Sequence, residues 1–141
     1  MEKIQPDTLL EHSAILIVDD NEINRLILHE TFRGEKAILE AENGKEALDI
    51  IQSTENNIAA ILLDIQMPVM DGFELLEILH GQGLTGKIPV FLITADGSSQ
   101  NMERGYNLGV MDIIEKPIVP YFVKKRVESV MELFLARRRL S

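Results

Sequence analysis

The stretch ILLDIQMP, residues 61–68, decides how the chain is read. It extends back to Ile58, so that IAAILLD is a run of six apolar residues closed by one aspartate. An unbroken apolar run of this length suits a strand buried on both faces, as in a parallel sheet. A carboxylate at the end of that run, with a Met-Pro pair just beyond it, is either badly placed or placed for chemistry.

The same pattern recurs along the chain. AILIVDD (14–20) closes on two aspartates, and IPVFLITA (88–95) closes on Thr94-Ala95, with Pro89 near its start where a missing N–H is tolerated. MDIIEK (111–116) is a shorter run that closes on Lys116, followed by Pro117. KAILEAEN (36–43) reads as a weaker strand before the turn signal Asn43-Gly44. Helical patterns fill the intervals. Asn21 is placed to cap the first, with Ile23, Leu26 and Ile27 on its inner face and Gly34 at its end. KEALDIIQ (45–52) carries Ala47, Leu48 and Ile51 at helical spacing, GFELLEILH (72–80) follows Asp71, and residues 98–108 suit a short helix. Pro117 and Pro120 open a long last helix with an apolar stripe of Val123, Val127, Val130, Met131 and Phe134.

Five alternations of strand and helix call for crossover connections and helices on both sheet faces. The expected fold is a doubly wound α/β domain around a central five-stranded parallel sheet. Residues 1–13 read as a polar lead-in, 14–136 as the domain, and 137–141 as a basic tail. No second domain or internal repeat is evident.

The 141 residues suit one domain with a real core. The net charge of −9 argues against a grip on nucleic acid or anionic lipid. There is no cysteine, hence no disulfide or thiolate chemistry. No apolar run approaches the roughly 20 residues that span a bilayer, and the first residues lack the basic start and apolar core of a secretion signal. A cytoplasmic protein is expected. His12, His29 and His80 are scattered without metal-ligand spacing.

In a doubly wound fold the carboxyl ends of the strands converge on one edge, where sites form. Asp19, Asp20 and Asp64 would share that edge with Thr94 and Lys116. Clustered carboxylates repel one another, and a divalent cation relieves the repulsion. Hard oxygen ligands with room for water favour magnesium. Carboxylates form aspartyl-phosphates, and a lysine and a hydroxyl beside the metal would offset charge on a transferring phosphoryl group. The constellation therefore reads as phosphoryl transfer onto a carboxylate.

The order DD, then D with M-P after it, then T-A, then K-P resembles the receiver domain of two-component response regulators. The intervals are 44 positions from Asp20 to Asp64, 30 on to Thr94 and 22 on to Lys116, and DIQMPVMDG (64–72) fits the loop after the acceptor. The resemblance covers residue 14 to about 136, and implies the flavodoxin-like (βα)5 receiver fold. By this resemblance Asp64 is the phosphoacceptor, charged by a phosphohistidine on a sensor histidine kinase or phosphotransfer protein. Asp19 and Asp20 hold Mg2+ together with Asp64 and the main-chain carbonyl of Gln66. Thr94, the Ala95 N–H and Lys116 contact the phosphoryl group, and the Lys116-Pro117 bond is cis. Thr94 and the position of Ile113 form the switch. The family often has an aromatic residue where this chain has Ile113. Gln66 and Asp96 occupy positions that tune phosphoryl lifetime. The resemblance further implies a homodimer through the face of helix four, strand five and helix five. The basic tail would lead to an output domain absent from this chain.

Three other readings compete. A small Mg-dependent phosphatase with an aspartyl intermediate would carry a second aspartate where this chain has Gln66. A flavin-binding module would need a hydroxyl- and glycine-rich loop where this chain has the acidic DDNEIN (19–24). A receiver-like interaction module that is never phosphorylated would not need the full set of Asp19, Asp20, Asp64, Thr94 and Lys116.

Overall fold

The computed structural model describes residues 13–34, 36–54 and 57–140. Most of the expected lead-in, residues 1–12, and the last residue of the tail lie outside the described residues. Five strands are present, β1 (Ala14–Val18), β2 (Ala37–Ala41), β3 (Ile58–Leu63), β4 (Val90–Thr94) and β5 (Asp112–Glu115). They alternate with α1 (Glu22–Phe32), α2 (Gly44–Thr54), α3 (Gly72–Gly81), α4 (Ser99–Asn107) and α5 (Pro120–Leu140). A short 3-10 turn, Leu84–Gly86, precedes β4.

The sheet order is β2-β1-β3-β4-β5, with every pairing parallel. β1, β3 and β4 are buried along their whole length, as unbroken apolar runs require. β2 lies at an edge and is buried only at Ala41, which explains its weaker pattern. Alternate side chains feed two cores. Leu16, Val18, Ile61, Leu63 and Leu92 point to α2, α3 and α4. Ile15, Ile17, Leu62, Phe91 and Ile93 point to α1 and α5.

The helix starts follow local chemistry. The Asn21 side chain accepts from the Asn24 N–H at 3.0 Å. Asp71 and Glu74 form a reciprocal capping box at α3. Ser98 caps α4. The α5 stripe packs as expected, with Val123, Val127 and Phe134 buried and Val130 and Met131 partly so.

The inner face of α1 differs from expectation. Ile23 and Leu26 are 68% and 59% exposed, and the buried apolar residues are Leu28 and Phe32. The inward stripe is Arg25, Leu28 and Phe32, with the Arg25 side chain only 12% exposed. A guanidinium with polar partners occupies a position that periodicity reserves for an apolar residue.

Candidate functional site

β1, β3, β4 and β5 end on a common edge, and the residues at or just past their ends line an open cleft of about 380 Å3. Asp19, Asp20, Asp64, Gln66, Thr94, Ala95 and Lys116 all border it. Met67, Asn21 and Asn24 complete the lining. The parallel register explains the convergence, because Val18 pairs with Leu63 and Thr94 with Glu115.

The carboxylates differ sharply. Asp19 and Asp64 are 2% and 6% exposed, whereas Asp20 is exposed. One oxygen of Asp19 accepts from the Asn21 N–H at 2.9 Å. Its other oxygen lies 3.2 Å from the Lys116 ammonium, which also lies 3.4 Å from Asp64. The second Asp64 oxygen accepts from the Ile65 N–H at 2.8 Å. Burial, and next the charge of Asp19, push the Asp64 carboxyl up to about 6 against the opposing pull of Lys116. Carboxylate oxygens of Asp19, Asp20 and Asp64 lie within 4.8 Å of one another. One ammonium does not balance three carboxylates, and a cluster of hard oxygen donors open to solvent through Asp20 is the donor set a divalent cation prefers.

The surrounding loops hold the cleft in shape. Gly72 N–H donates to the Ile65 carbonyl at 2.8 Å, and a Cβ on Gly72 would collide with the Asp64 carbonyl oxygen. Only glycine allows α3 to start this close to the end of β3. Between them, the Met70 N–H donates to the Pro68 carbonyl at 2.8 Å, and Val69 at the turn has φ of 69°. A β-branched residue in that region is strained. The buried Thr94 hydroxyl accepts from the Asp96 N–H at 3.1 Å. Lys116 N–H donates to the Thr94 carbonyl at 2.8 Å, and the Lys116-Pro117 bond is cis.

Of the expected metal-binding, phosphate-binding and switch residues, Ile113 alone does not line the cleft, and Asp96, two residues past Thr94, is also outside the lining. Ile113 is buried between β5 and α4, where its Cδ1 would lie 3.2 Å from a Cβ on Gly105. β5 is tied to α5 by Arg126, whose guanidinium grips both Asp112 oxygens at 2.7 and 2.6 Å. Arg25 was not anticipated. Its Nη1 donates to the Asp19 carbonyl at 2.8 Å from below the cleft. The signal was present as an inward position of α1 filled by a cation.

This geometry has counterparts. A family model described as the response regulator receiver domain matches residues 15–128. The transcriptional regulatory protein SrrA of Staphylococcus aureus is 39% identical over 120 residues, which is 84% of this chain and 48% of SrrA. The chain thus spans about half the length of the curated relatives it matches. The chemotaxis protein CheY4 of Vibrio cholerae superposes with a TM-score of 0.76 at 27% identity, covering 84% of this chain and 98% of CheY4. A chain from the CheX–CheY–BeF3–Mg2+ complex of Borrelia burgdorferi superposes with a TM-score of 0.76 at 31% identity, covering 84% of this chain and 88% of its own. With its sheet order, its acid cluster and these matches, the chain belongs to the receiver domain family of response regulators.

Proposed function

We propose that this receiver domain accepts a phosphoryl group on Asp64 from a phosphohistidine of a sensor kinase or phosphotransfer protein. The observation that carries this is a buried, basic carboxylate beside an ammonium in a cleft open to a donor. With its carboxyl raised to about 6, Asp64 is ionised at neutral pH yet less solvated and more basic than an ordinary aspartate. Its oxygen attacks phosphorus, the new O–P bond forms as the P–N bond breaks, and the electron pair goes to the imidazole nitrogen.

Lys116 is within reach of Asp64 before transfer, and a short swing of its ammonium from the carboxylate to a phosphoryl oxygen follows the charge. The Thr94 hydroxyl and the Ala95 N–H are the further donors for that group. Asp19, Asp20, Asp64 and the Gln66 carbonyl would hold Mg2+, which supplies positive charge against the phosphoryl oxygens. The similar Borrelia burgdorferi chain was solved in a complex with BeF3 and Mg2+. Gln66 and Asp96, both exposed, flank the path by which water would hydrolyse the O–P bond and set the lifetime of the signal. The domain therefore turns over its own phosphoryl group and transforms no separate substrate.

Readout would run through Thr94 and Ile113 to the face of α4, β5 and α5. Tyr106, Met111, Val119 and Phe122 are exposed there, which supports pairing of two copies. The domain unit is read as residues 14–136, with α5 and the basic tail leading to an output domain. No helix among the described residues is long and apolar enough to cross a membrane, and a partner kinase that acts inside the cell would place this domain in the cytoplasm.

Incubation with acetyl phosphate and Mg2+ tests the proposal by intact mass. Wild type is expected to gain one phosphoryl group, with no gain after prior chelation or in Asp64→Ala. Equal gain in wild type and Asp64→Ala would end the assignment.

A further inference from the structure

Arg25 reaches the acid pair from behind. Its Nη1 donates to the Asp19 carbonyl at 2.8 Å, so it holds the peptide that joins Asp19 to Asp20. The rest of the guanidinium is anchored to strand β2 and the residue just beyond it. Nε lies 3.3 Å from Glu40 and Nη2 lies 3.6 Å from Glu42. Glu40 is itself braced by His29 at 3.1 Å. The fork geometry of arginine suits three partners at once, which a lysine cannot match.

Asp19 and Asp20 need different support. The Asp19 carboxylate is fixed by the Asn21 N–H and Lys116. The Asp20 carboxylate is exposed and has no hydrogen bond or ion pair among the described residues. Its direction is set by its own backbone, and that backbone begins at the peptide Arg25 holds. We infer that Arg25 is a positioning residue for the acid pair, and that Glu40 and Glu42 are its anchors. This rests on the reading of Asp19, Asp20 and Asp64 as the Mg2+ site.

The sign of the effect separates positioning from simple charge. Arg25 is a cation near the acid cluster, so as a charge alone it repels Mg2+, and its removal would tighten Mg2+ binding. As a positioning residue its removal weakens binding. Groups that orient metal ligands typically contribute about 10–100-fold in affinity.

The test is calorimetric titration of the purified protein with MgCl2, without any phosphodonor. Arg25→Ala is expected to weaken Mg2+ binding by about tenfold. Arg25→Lys, which keeps the charge and one donor, is expected to recover part of the loss. The double variant Glu40→Gln, Glu42→Gln, which leaves the acid cluster untouched, is expected to weaken binding by a smaller factor. Unchanged or tighter Mg2+ binding in Arg25→Ala overturns the inference, as does equal affinity of Arg25→Lys and Arg25→Ala. Should Arg25→Ala not fold, wild-type affinity in both Arg25→Lys and the glutamine double variant overturns it equally. A wild-type protein that binds no Mg2+ would instead refute the metal site itself.

Discussion

Helices α1 and α5 cover the same face of the sheet, yet only α5 shows its inner side in the sequence. Among the described residues, the inward positions of α5 serve packing. Val123, Val127 and Phe134 are buried, and Val130 and Met131 fill in between them. α1 has two duties. Leu28 and Phe32 pack against the sheet, while the first inward position holds Arg25, whose guanidinium serves the cleft. The apolar residues displaced from that stripe, Ile23 and Leu26, face outward. An amphipathic pattern is readable where all inward residues do one job, and is obscured where one of them is held for the site.

The largest effect that tests this contrast is on the buried half of α1. Phe32 is fully buried, and Phe32→Ala should lower unfolding stability by about 3–5 kcal/mol through lost burial and a residual cavity. Chemical denaturation reads this directly, and a loss under about 1 kcal/mol would mean that α1 is anchored elsewhere.

An intermediate effect of opposite sign is expected at Asp64. The Asp64 carboxyl stands near 6 in the folded protein against 3.8 for an ordinary aspartate. Between those values the folded protein keeps a proton that the unfolded chain releases. Stability of the metal-free protein therefore falls as pH rises through that window, and the loss is complete above about 6. Asp64→Asn should flatten this slope and add on the order of 2–3 kcal/mol at pH 8. Melting temperatures measured in chelator across pH 4 to 8 check it (~0.5-unit steps suffice). A destabilised Asp64→Asn at high pH would contradict the electrostatic picture of the cleft.

The smallest effect belongs to the outer face of α1. Ile23→Ser and Leu26→Ser should each change stability by no more than about 0.5 kcal/mol, since both side chains are already in water. A cost comparable to that of Phe32→Ala would reverse the assignment of the two faces.

The site was more legible in the sequence than the helix beside it. In a parallel sheet the strand ends are fixed by the fold, so Asp19, Asp20, Asp64, Thr94 and Lys116 fell together once the strands were recognised. Their relative depth was not legible. Asp19 and Asp20 are neighbours of identical chemistry, and only the partners Asn21 and Lys116 decide which is buried. The same holds for Val69, whose strained φ follows from the tight Pro68–Met70 turn, and for Ile113, which meets α4 because Gly105 leaves room. Each depends on contacts between segments far apart in the chain, which local pattern does not encode.

Three aspartates share the cleft, and the central claim is that the buried one at the end of β3 is the acceptor. Reduction of the acetyl phosphate-treated protein with borohydride converts an aspartyl-phosphate to homoserine, which peptide sequencing by tandem mass spectrometry locates. Homoserine at position 64 alone is the expected result. Homoserine at position 19 or 20, or in Asp64→Ala, would contradict it.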